Sequence, residues 1–148
     1  MEQMTAVTGQ EKAGIDRSLD ATVKKFNEVF NRPTAKEFAS FWADEGTLLN
    51  PFGNYGRGPS GAERIFHEDT QKFFEGTTSS LTIVGARKIA DDCVLLDLES
   101  EVQNARLPDG SRGPMSMHIV ILAQRKGEAW KWLDVRPYVF RERPQPLH

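Results

Sequence analysis

Two charged residues near the end of the chain, Asp134 and Arg136, have the types and spacing of a tuned acid–base pair. Alternating apolar residues predict a strand over Trp130 to Val139, and residues two apart on a strand share a face. A carboxylate beside Trp132 would be partly desolvated, which raises its pKa, while the nearby guanidinium lowers it. Asp134 is therefore a candidate catalytic residue and Arg136 a candidate substrate-binding residue. The alternatives are an ion pair at the open end of a pocket or, if the register differs by one residue, a surface pair.

His67 is the second candidate acid or base, because an imidazole titrates near neutral pH. It follows Phe66 in a predicted helix, with Glu63 one turn earlier, which places it at the edge of the buried stripe. The alternative is a histidine that only bonds Glu63 at the rim. Tyr55 stands in the middle of a loop with three glycines, where it is a candidate gate residue with a usable hydroxyl.

The elements that must position these residues follow from the hydrophobic periodicity. Apolar residues recur every three or four positions from Ile15 to Phe30, which predicts an amphipathic helix ended by Pro33. A T-x-x-E box at 34–37 predicts a short second helix, and a second box at 60–63 predicts a third helix that ends near Gly76. Between them, a short strand at 47–50 leads into the glycine-containing loop.

After Gly76 the apolar period changes from that of a helix to that of a strand. Four consecutive strands joined by tight turns are antiparallel neighbours, predicted over 81–89, 93–102, 115–125 and 130–139. Three helices and such a sheet bury their apolar faces together when the sheet curls and the helices close its concave side. The sequence therefore predicts an α+β fold.

A turn centred on Gly127 and Glu128 fixes a predicted register for the last hairpin. The pairs are Arg125 with Trp130, Ala123 with Trp132, Ile121 with Asp134, and Ile119 with Arg136. One face then carries Met117, Ile119, Ile121, Trp130, Trp132, Asp134 and Arg136, and the other carries His118, Val120, Leu122, Leu133 and Val135. Both faces are largely apolar, which predicts a homodimer through the outer face, with a folded-back C-terminal tail as the alternative.

A set of motifs in fixed order carries a family resemblance. They are the segment Trp42-Ala-Asp-Glu-Gly-Thr-Leu-Leu-Asn-Pro-Phe-Gly53, the glycine-rich loop into a helix with His67, Phe74-Glu-Gly76, and Gly-x-x-Trp at 127–130. In this order the chain resembles the nuclear-transport-factor-2-like superfamily, and within it the SnoaL-like group of SgcJ/EcaC-type small proteins. The resemblance implies a cone-shaped α+β roll, three helices on the concave side of a strongly bent, mainly antiparallel sheet, usually dimeric. Members include ketosteroid isomerases, cyclases, dehydratases, hydrolases and non-catalytic modules, so fold alone does not assign chemistry.

Asn50 is the main departure from that resemblance. In ketosteroid isomerases a similar segment ends in an aspartate before proline, which shuttles the proton, and here Asn50 precedes Pro51. A carboxamide does not take up a proton at neutral pH. The phenolic donor of those enzymes falls at Phe26, so this proton shuttle is disfavoured. The resemblance leaves Asn50 to orient a substrate oxygen or water, or alternatively to bond the turn before Pro51.

The remaining pocket candidates are apolar. The predicted wall consists of Trp42, Phe26, Phe30, Phe52, Met117, Ile119 and Trp132. The three histidines lack the spacing of metal ligands, and no phosphate-binding or nucleophile-elbow motif occurs, so neither a metal nor another cofactor is expected.

Composition excludes several classes of protein. A net charge of −2 over 148 residues lacks the basic footprint of nucleic-acid binding. Cys93 is the single cysteine, which allows no intrachain disulfide and fits a reducing compartment. No apolar run approaches the roughly 20 residues that span a bilayer, and no signal sequence is visible, so a cytoplasmic location is expected.

The sequence predicts one domain over residues 14–140, with a loose leader at 1–13 and a tail at 141–148. The predicted function is binding of a small hydrophobic, oxygen-bearing molecule, with cofactor-free cyclisation, isomerisation, dehydration or hydrolysis as the chemistry if there is any. The alternative is a non-catalytic ligand-binding or dimeric association module of the same fold.

Overall fold

The computed structural model describes residues 17–32, 34–107 and 109–139. Within these ranges lie three α-helices, α1 (Arg17–Asn31), α2 (Ala35–Ala39) and α3 (Gly58–Asp69), the last continued by a π-helical turn (Thr70–Phe74). The six strands are β1 (Trp42–Leu49), β2 (Tyr55–Arg57), β3 (Thr78–Ala90), β4 (Cys93–Arg106), β5 (Arg112–Lys126) and β6 (Ala129–Tyr138). The predicted leader and tail lie outside the described residues.

The strands form one sheet in the order β2-β1-β6-β5-β4-β3. The meander β3 to β6 is antiparallel, as predicted, whereas β6 pairs with β1 in parallel and β1 pairs with β2 antiparallel. The α+β class is thereby confirmed, with a mixed and mainly antiparallel sheet. Strand β2 lies where the sequence predicts a loop, because its three residues are too few to show a period of two.

The core lies between the helices and the sheet face that they cover. Helix α1 buries Leu19, Val23, Phe26 and Val29, which is the stripe that its apolar spacing predicts. Phe26 is in ring contact with Phe38 at 5.1 Å and with Trp132 at 5.5 Å between centroids. Burying a large apolar side chain of this kind stabilises the fold by about 1.5–3 kcal/mol, so these rings fix how α1 and α2 sit on the sheet.

The helix starts differ from the predicted capping boxes. Thr34 precedes α2 but makes no side-chain capping hydrogen bond. Helix α3 begins at Gly58, with Pro59 in its first turn, so Ser60 lies inside the helix and does not cap it. Proline favours the first turn because its missing N–H is not needed there, and this preference outweighs the serine signal. Gly76, with a φ of 74°, ends the segment near the predicted position.

The register of the last hairpin is correct up to Trp132 and wrong beyond it. Ala123 pairs with Trp132, but Leu122 pairs with Asp134 and Ile121 with Val135, because Leu133 is an extra residue in a β-bulge. Asp134 and Arg136 therefore lie on the outer face, while Val135 and Pro137 face inward. Both faces are apolar around the bulge, so alternation alone could not reveal it.

None of the helices in the described part of the chain combines the length and apolar character needed to cross a membrane.

Candidate active site

A cavity opens between α1, α3 and the concave sheet face. The volume of the cavity including its mouth is about 680 Å³. The centre of a water molecule can occupy about 70 Å³ of this space. The smaller volume is several times what one water molecule needs, so the cavity is more than a packing gap between side chains. The lining is Phe26, Phe30, Phe38, Leu48, Asn50, Pro51, Phe52, Ile65, Phe66, Asp69, Phe74, Ser79, Leu81, Ser100, Met117, Ile119, Val135 and Pro137.

Asp69 is the titratable residue in this lining. It stands at the last position of α3, with its side chain turned to the cavity and only 9% of its surface exposed. Burial raises the pKa of its carboxyl group, since charge is disfavoured in apolar surroundings, while the hydrogen bond from Asn50 works in the opposite direction. The charge on Glu68 also raises the pKa and that on Lys72 lowers it.

Asn50 holds the Asp69 carboxylate and the neighbouring loop at the same time. Its Nδ2 donates to Oδ1 and Oδ2 of Asp69 at 3.2 and 3.0 Å. Its Oδ1 accepts from the backbone N–H of Phe52 at 3.0 Å and of Asn54 at 2.9 Å. Two N–H donors require the oxygen on the loop side, which leaves the NH₂ group for the carboxylate. The turn-bonding interpretation of Asn50 therefore holds, and the contact with Asp69 is added to it.

A second polar point in the cavity is a pair of serines. Ser79 on β3 and Ser100 on β4 are both buried, and their hydroxyl oxygens lie 3.1 Å apart. Asn31, the last residue of α1, bonds the backbone of Ser79 on both sides, accepting from its N–H at 2.5 Å and donating to its carbonyl at 2.8 Å. The serine pair is thus tied to the helix as well as to the sheet.

Phe52 forms the mouth of the cavity. Half of its surface is exposed, and its ring stacks on Phe73 with centroids 4.4 Å apart. Tyr55, the predicted gate, lies nearby on β2 but is 55% exposed and is not part of the lining. The aromatic residue at the entrance is Phe52, whose N–H is bonded to Asn50.

The structure brings together six of the side chains that the sequence predicted for the site. Phe26, Phe30, Phe52, Asn50, Met117 and Ile119 all line the cavity. Trp42 and Trp132 are buried in the adjoining aromatic core and are not in the lining. The binding roles of all these residues stay predictions.

The two predicted catalytic residues do not reach the cavity. Asp134 lies on the outer face, where its Oδ2 accepts from Arg136 Nε at 2.7 Å and its Oδ1 accepts from Thr47 Oγ1 at 2.8 Å. The pocket position predicted for Asp134 and Arg136 is therefore wrong, and the surface alternative is correct. His67 is exposed on α3 and contacts Gln71, with the two Nε2 atoms 3.2 Å apart.

Asp69 was missed as a site residue although the sequence carried its signal. It lies on the same stripe of α3 as Ala62, Ile65 and Phe66, and a carboxylate on an apolar stripe is unusual enough to mark a site. Ser79 and Ser100 had a similar signal, since each occupies an inward position of an otherwise apolar strand face. Among the described residues there is no group of three or more His, Cys, Asp or Glu residues placed to hold a metal ion.

Comparison with solved structures identifies the fold. No protein-family model matches the chain, and no curated protein matches it by sequence. Among solved structures, an uncharacterised protein with a cystatin-like fold from Caulobacter vibrioides matches with a TM-score of 0.73 and 17% identity, covering 90% of this chain and 92% of that one.

Two further structures are similar. A ketosteroid isomerase-like protein from Erwinia carotovora atroseptica gives a TM-score of 0.68 at 13% identity, over 88% of this chain and 97% of the other. A protein assigned as a scytalone dehydratase from Novosphingobium aromaticivorans gives 0.72 at 10% identity, over 93% of this chain and all of the other. Identities this low show the fold alone. The chain therefore has the cystatin-like α+β fold of the nuclear-transport-factor-2-like proteins, as its sequence motifs predicted.

Proposed function

We propose that this protein is a cofactor-independent acid–base enzyme for a small hydrophobic, oxygen-bearing molecule, with Asp69 as the proton-transferring group. One observation carries the proposal: the Asp69 carboxyl group is buried in a mostly apolar cavity and accepts a hydrogen bond from the Asn50 amide. A carboxyl group in a cleft whose pKa is raised by burial is a candidate functional group.

The geometry supplies a simple proton transfer. The ionised carboxylate removes a proton from a carbon next to a substrate carbonyl, and the electron pair left behind moves onto the carbonyl oxygen. The Asp69 proton then returns to another carbon in an isomerisation, or to a departing hydroxyl in a dehydration. Asn50 keeps the carboxyl oriented in both protonation states, because its Nδ2 stays bonded to Asp69 while its Oδ1 stays bonded to the loop.

The fold relatives are consistent with this proposal. The similar structures include proteins assigned as an isomerase type and a dehydratase. In this chain the position that matches the isomerase base is the amide of Asn50, and the carboxyl group comes from helix α3 instead. The acid–base group thus reaches the cavity from a different element.

A small model substrate tests Asp69 without knowledge of the natural one. In 5-nitrobenzisoxazole a base takes the ring C–H proton while the N–O bond breaks, giving a coloured cyanophenolate. We expect the protein to accelerate this reaction, with a rate that rises with pH through an inflection above the ordinary aspartate range. Asp69→Asn should remove most of the acceleration, whereas the control Glu63→Gln, on the exposed side of the same helix, should not. Equal rates for Asp69→Asn and the parent protein, with ligand binding intact, would instead support the non-catalytic binding module.

A further inference from the structure

The hydroxyl pair of Ser79 and Ser100 has an unused hydrogen-bond donor. Two hydroxyls carry two O–H groups, and the bond between them uses one. Among the described residues neither hydroxyl makes another hydrogen bond, to a side chain or to the backbone. Ser79 is 8% exposed and Ser100 is 2% exposed, and both line the cavity. The second O–H can therefore donate to a ligand in the cavity.

The pair is held rigidly in place. Strand β3 is at the edge of the sheet. The Asn31 side chain forms hydrogen bonds with both the N–H and the carbonyl of Ser79, as a neighbouring strand would. Ser100 lies inside the sheet, paired with Leu81 on one side and Met117 on the other. A hydroxyl fixed by packing and backbone bonds binds a ligand with little loss of side-chain entropy.

The serine pair and Asp69 stand at opposite sides of the cavity. Asn50 follows β1, and Ser100 is on β4, so β6 and β5 lie between them in the sheet. That separation is three strand spacings, or roughly 14 Å along the sheet, and less across its concave face. The residues between the two polar points are apolar, among them Met117, Ile119 and Val135.

We infer that Ser79 and Ser100 form a second recognition point that binds a far oxygen of the substrate. The inference rests on the proposed function, in which the near end of the molecule reacts at Asp69. The substrate class that fits is a compact cyclic molecule with an apolar body and an oxygen function at each end. One hydroxyl of the pair donates to that oxygen and the other accepts from it, so both ketones and phenols are accommodated.

Two ketones that differ by one hydroxyl test the recognition point. We expect isothermal titration calorimetry to show that 6-hydroxy-2-tetralone binds about five-fold more tightly than 2-tetralone, the effect of one net neutral hydrogen bond. The double variant Ser79→Ala/Ser100→Ala should bind the two ketones equally while keeping the parent affinity for 2-tetralone. Changing both serines avoids leaving one buried hydroxyl without a partner. Ser80→Ala, on the same strand but facing outward, should keep the five-fold preference.

The outcomes separate this inference from the proposed function. Absence of the preference in the parent protein, or its survival in the double variant, would overturn the recognition point whatever the benzisoxazole rate shows. A preference that is lost only in the double variant supports the recognition point even if Asp69→Asn leaves the benzisoxazole rate unchanged, in which case the catalytic proposal alone fails. A double variant that loses affinity for both ketones equally would mark the serines as structural.

Discussion

The carboxyl group of Asp69 accepts hydrogen bonds from an amide and does not face a second carboxylate. This arrangement determines how the site responds to pH. Had position 50 been an aspartate, two carboxylates about 3 Å apart would share one proton. With Asn50 at that position, Asp69 ionises as a single group, and its ionisation is opposed mainly by the burial of the carboxyl group.

The pH dependence of stability should therefore contain a term from Asp69. Its pKa is higher in the folded chain than in the unfolded chain, so the folded state binds more protons between the two values. The contribution is favourable below the ordinary aspartate pKa of about 3.9 and is lost as the pH rises through the raised value. We expect the free energy of unfolding in urea to fall over that window by at most about 1.4 kcal/mol per pH unit more for the parent protein than for Asp69→Asn. Parallel pH curves for the two proteins would contradict the burial of this carboxyl group.

Asn50→Asp should create the shared-proton pair. The new Oδ1 can still accept from Phe52 and Asn54, so the loop keeps its bonds and only the contact with Asp69 changes. We expect stability close to that of the parent near pH 4 and a growing deficit towards pH 8. At a pH above the higher pKa of the pair, each unit by which that pKa is raised lowers the free energy of unfolding by about 1.4 kcal/mol. Asn54→Asp, which changes the same residue type on the loop without facing Asp69, is the matched control, and an equal deficit in both variants would contradict the pairing.

At the residue scale the sequence identified the wall better than the chemistry. Phe26, Phe30 and Met117 could be predicted because apolar periodicity decides their side of an element. The spacing of α3 places Asp69 on the buried stripe of the helix, but the cavity and the Asn50 amide that surround its carboxyl group could not be predicted. Asn50 was identified from the segment Trp42 to Gly53, whereas its partner Asp69 lies on helix α3, outside that segment.

At the scale of elements, the bulge at Leu133 decides which side chains of β6 enter the cavity. The extra residue turns Val135 and Pro137 inward and sends Asp134 and Arg136 outward. Helix α3, in turn, is held close to β2 by glycines: a Cβ atom on Gly56 would come within 2.8 Å of the Gly61 backbone. That close approach places the first turn of α3 against β2, and Asp69 lies at the other end of the same helix.

Asp134→Asn tests the outward direction. The side chain bonds Arg136 and Thr47 on a half-exposed surface, where such ion pairs contribute about 0–1 kcal/mol. We expect urea unfolding to show a loss within that range, and the benzisoxazole rate and its pH profile to stay as in the parent protein. A displaced inflection or a large loss of rate would mean that Asp134 acts on the cavity after all.

The sequence predicted the order and type of most elements because the change from a helical to a strand period is strong. What it could not supply are the features that depend on pairing: the parallel contact of β6 with β1, the short β2 and the bulge. Each arises from the fit between segments far apart in the chain, for example β1 and β6, and none leaves a local pattern.

For the whole molecule, the outer face of the sheet carries a charge asymmetry around an apolar centre. One row across it reads Asp97 on β4, Val120 on β5 and Arg136 on β6. Around this row lie half-buried apolar side chains, Leu95, Leu122 and Leu133. Val135, which the predicted register placed on this face, belongs to the interior.

We propose that this face pairs with a second copy of the chain about a two-fold axis that lies over β5 and runs parallel to it. Such an axis brings Asp97 of one protomer opposite Arg136 of its partner, and an isologous interface repeats the contact on the other side. Light scattering after size-exclusion chromatography should then give about twice the 16.7 kDa of one chain.

Charge exchange tests the pairing. Asp97→Arg and Arg136→Glu should each weaken the dimer, because each sets like charges against one another, and the double variant should restore it. Lys36→Glu, on α2 and away from the sheet, should leave the mass unchanged. A parent protein that elutes as a monomer at micromolar concentration would contradict the dimer. Failure of the double variant to recover would place the interface elsewhere, because only this face puts the two charges in register with each other across β5.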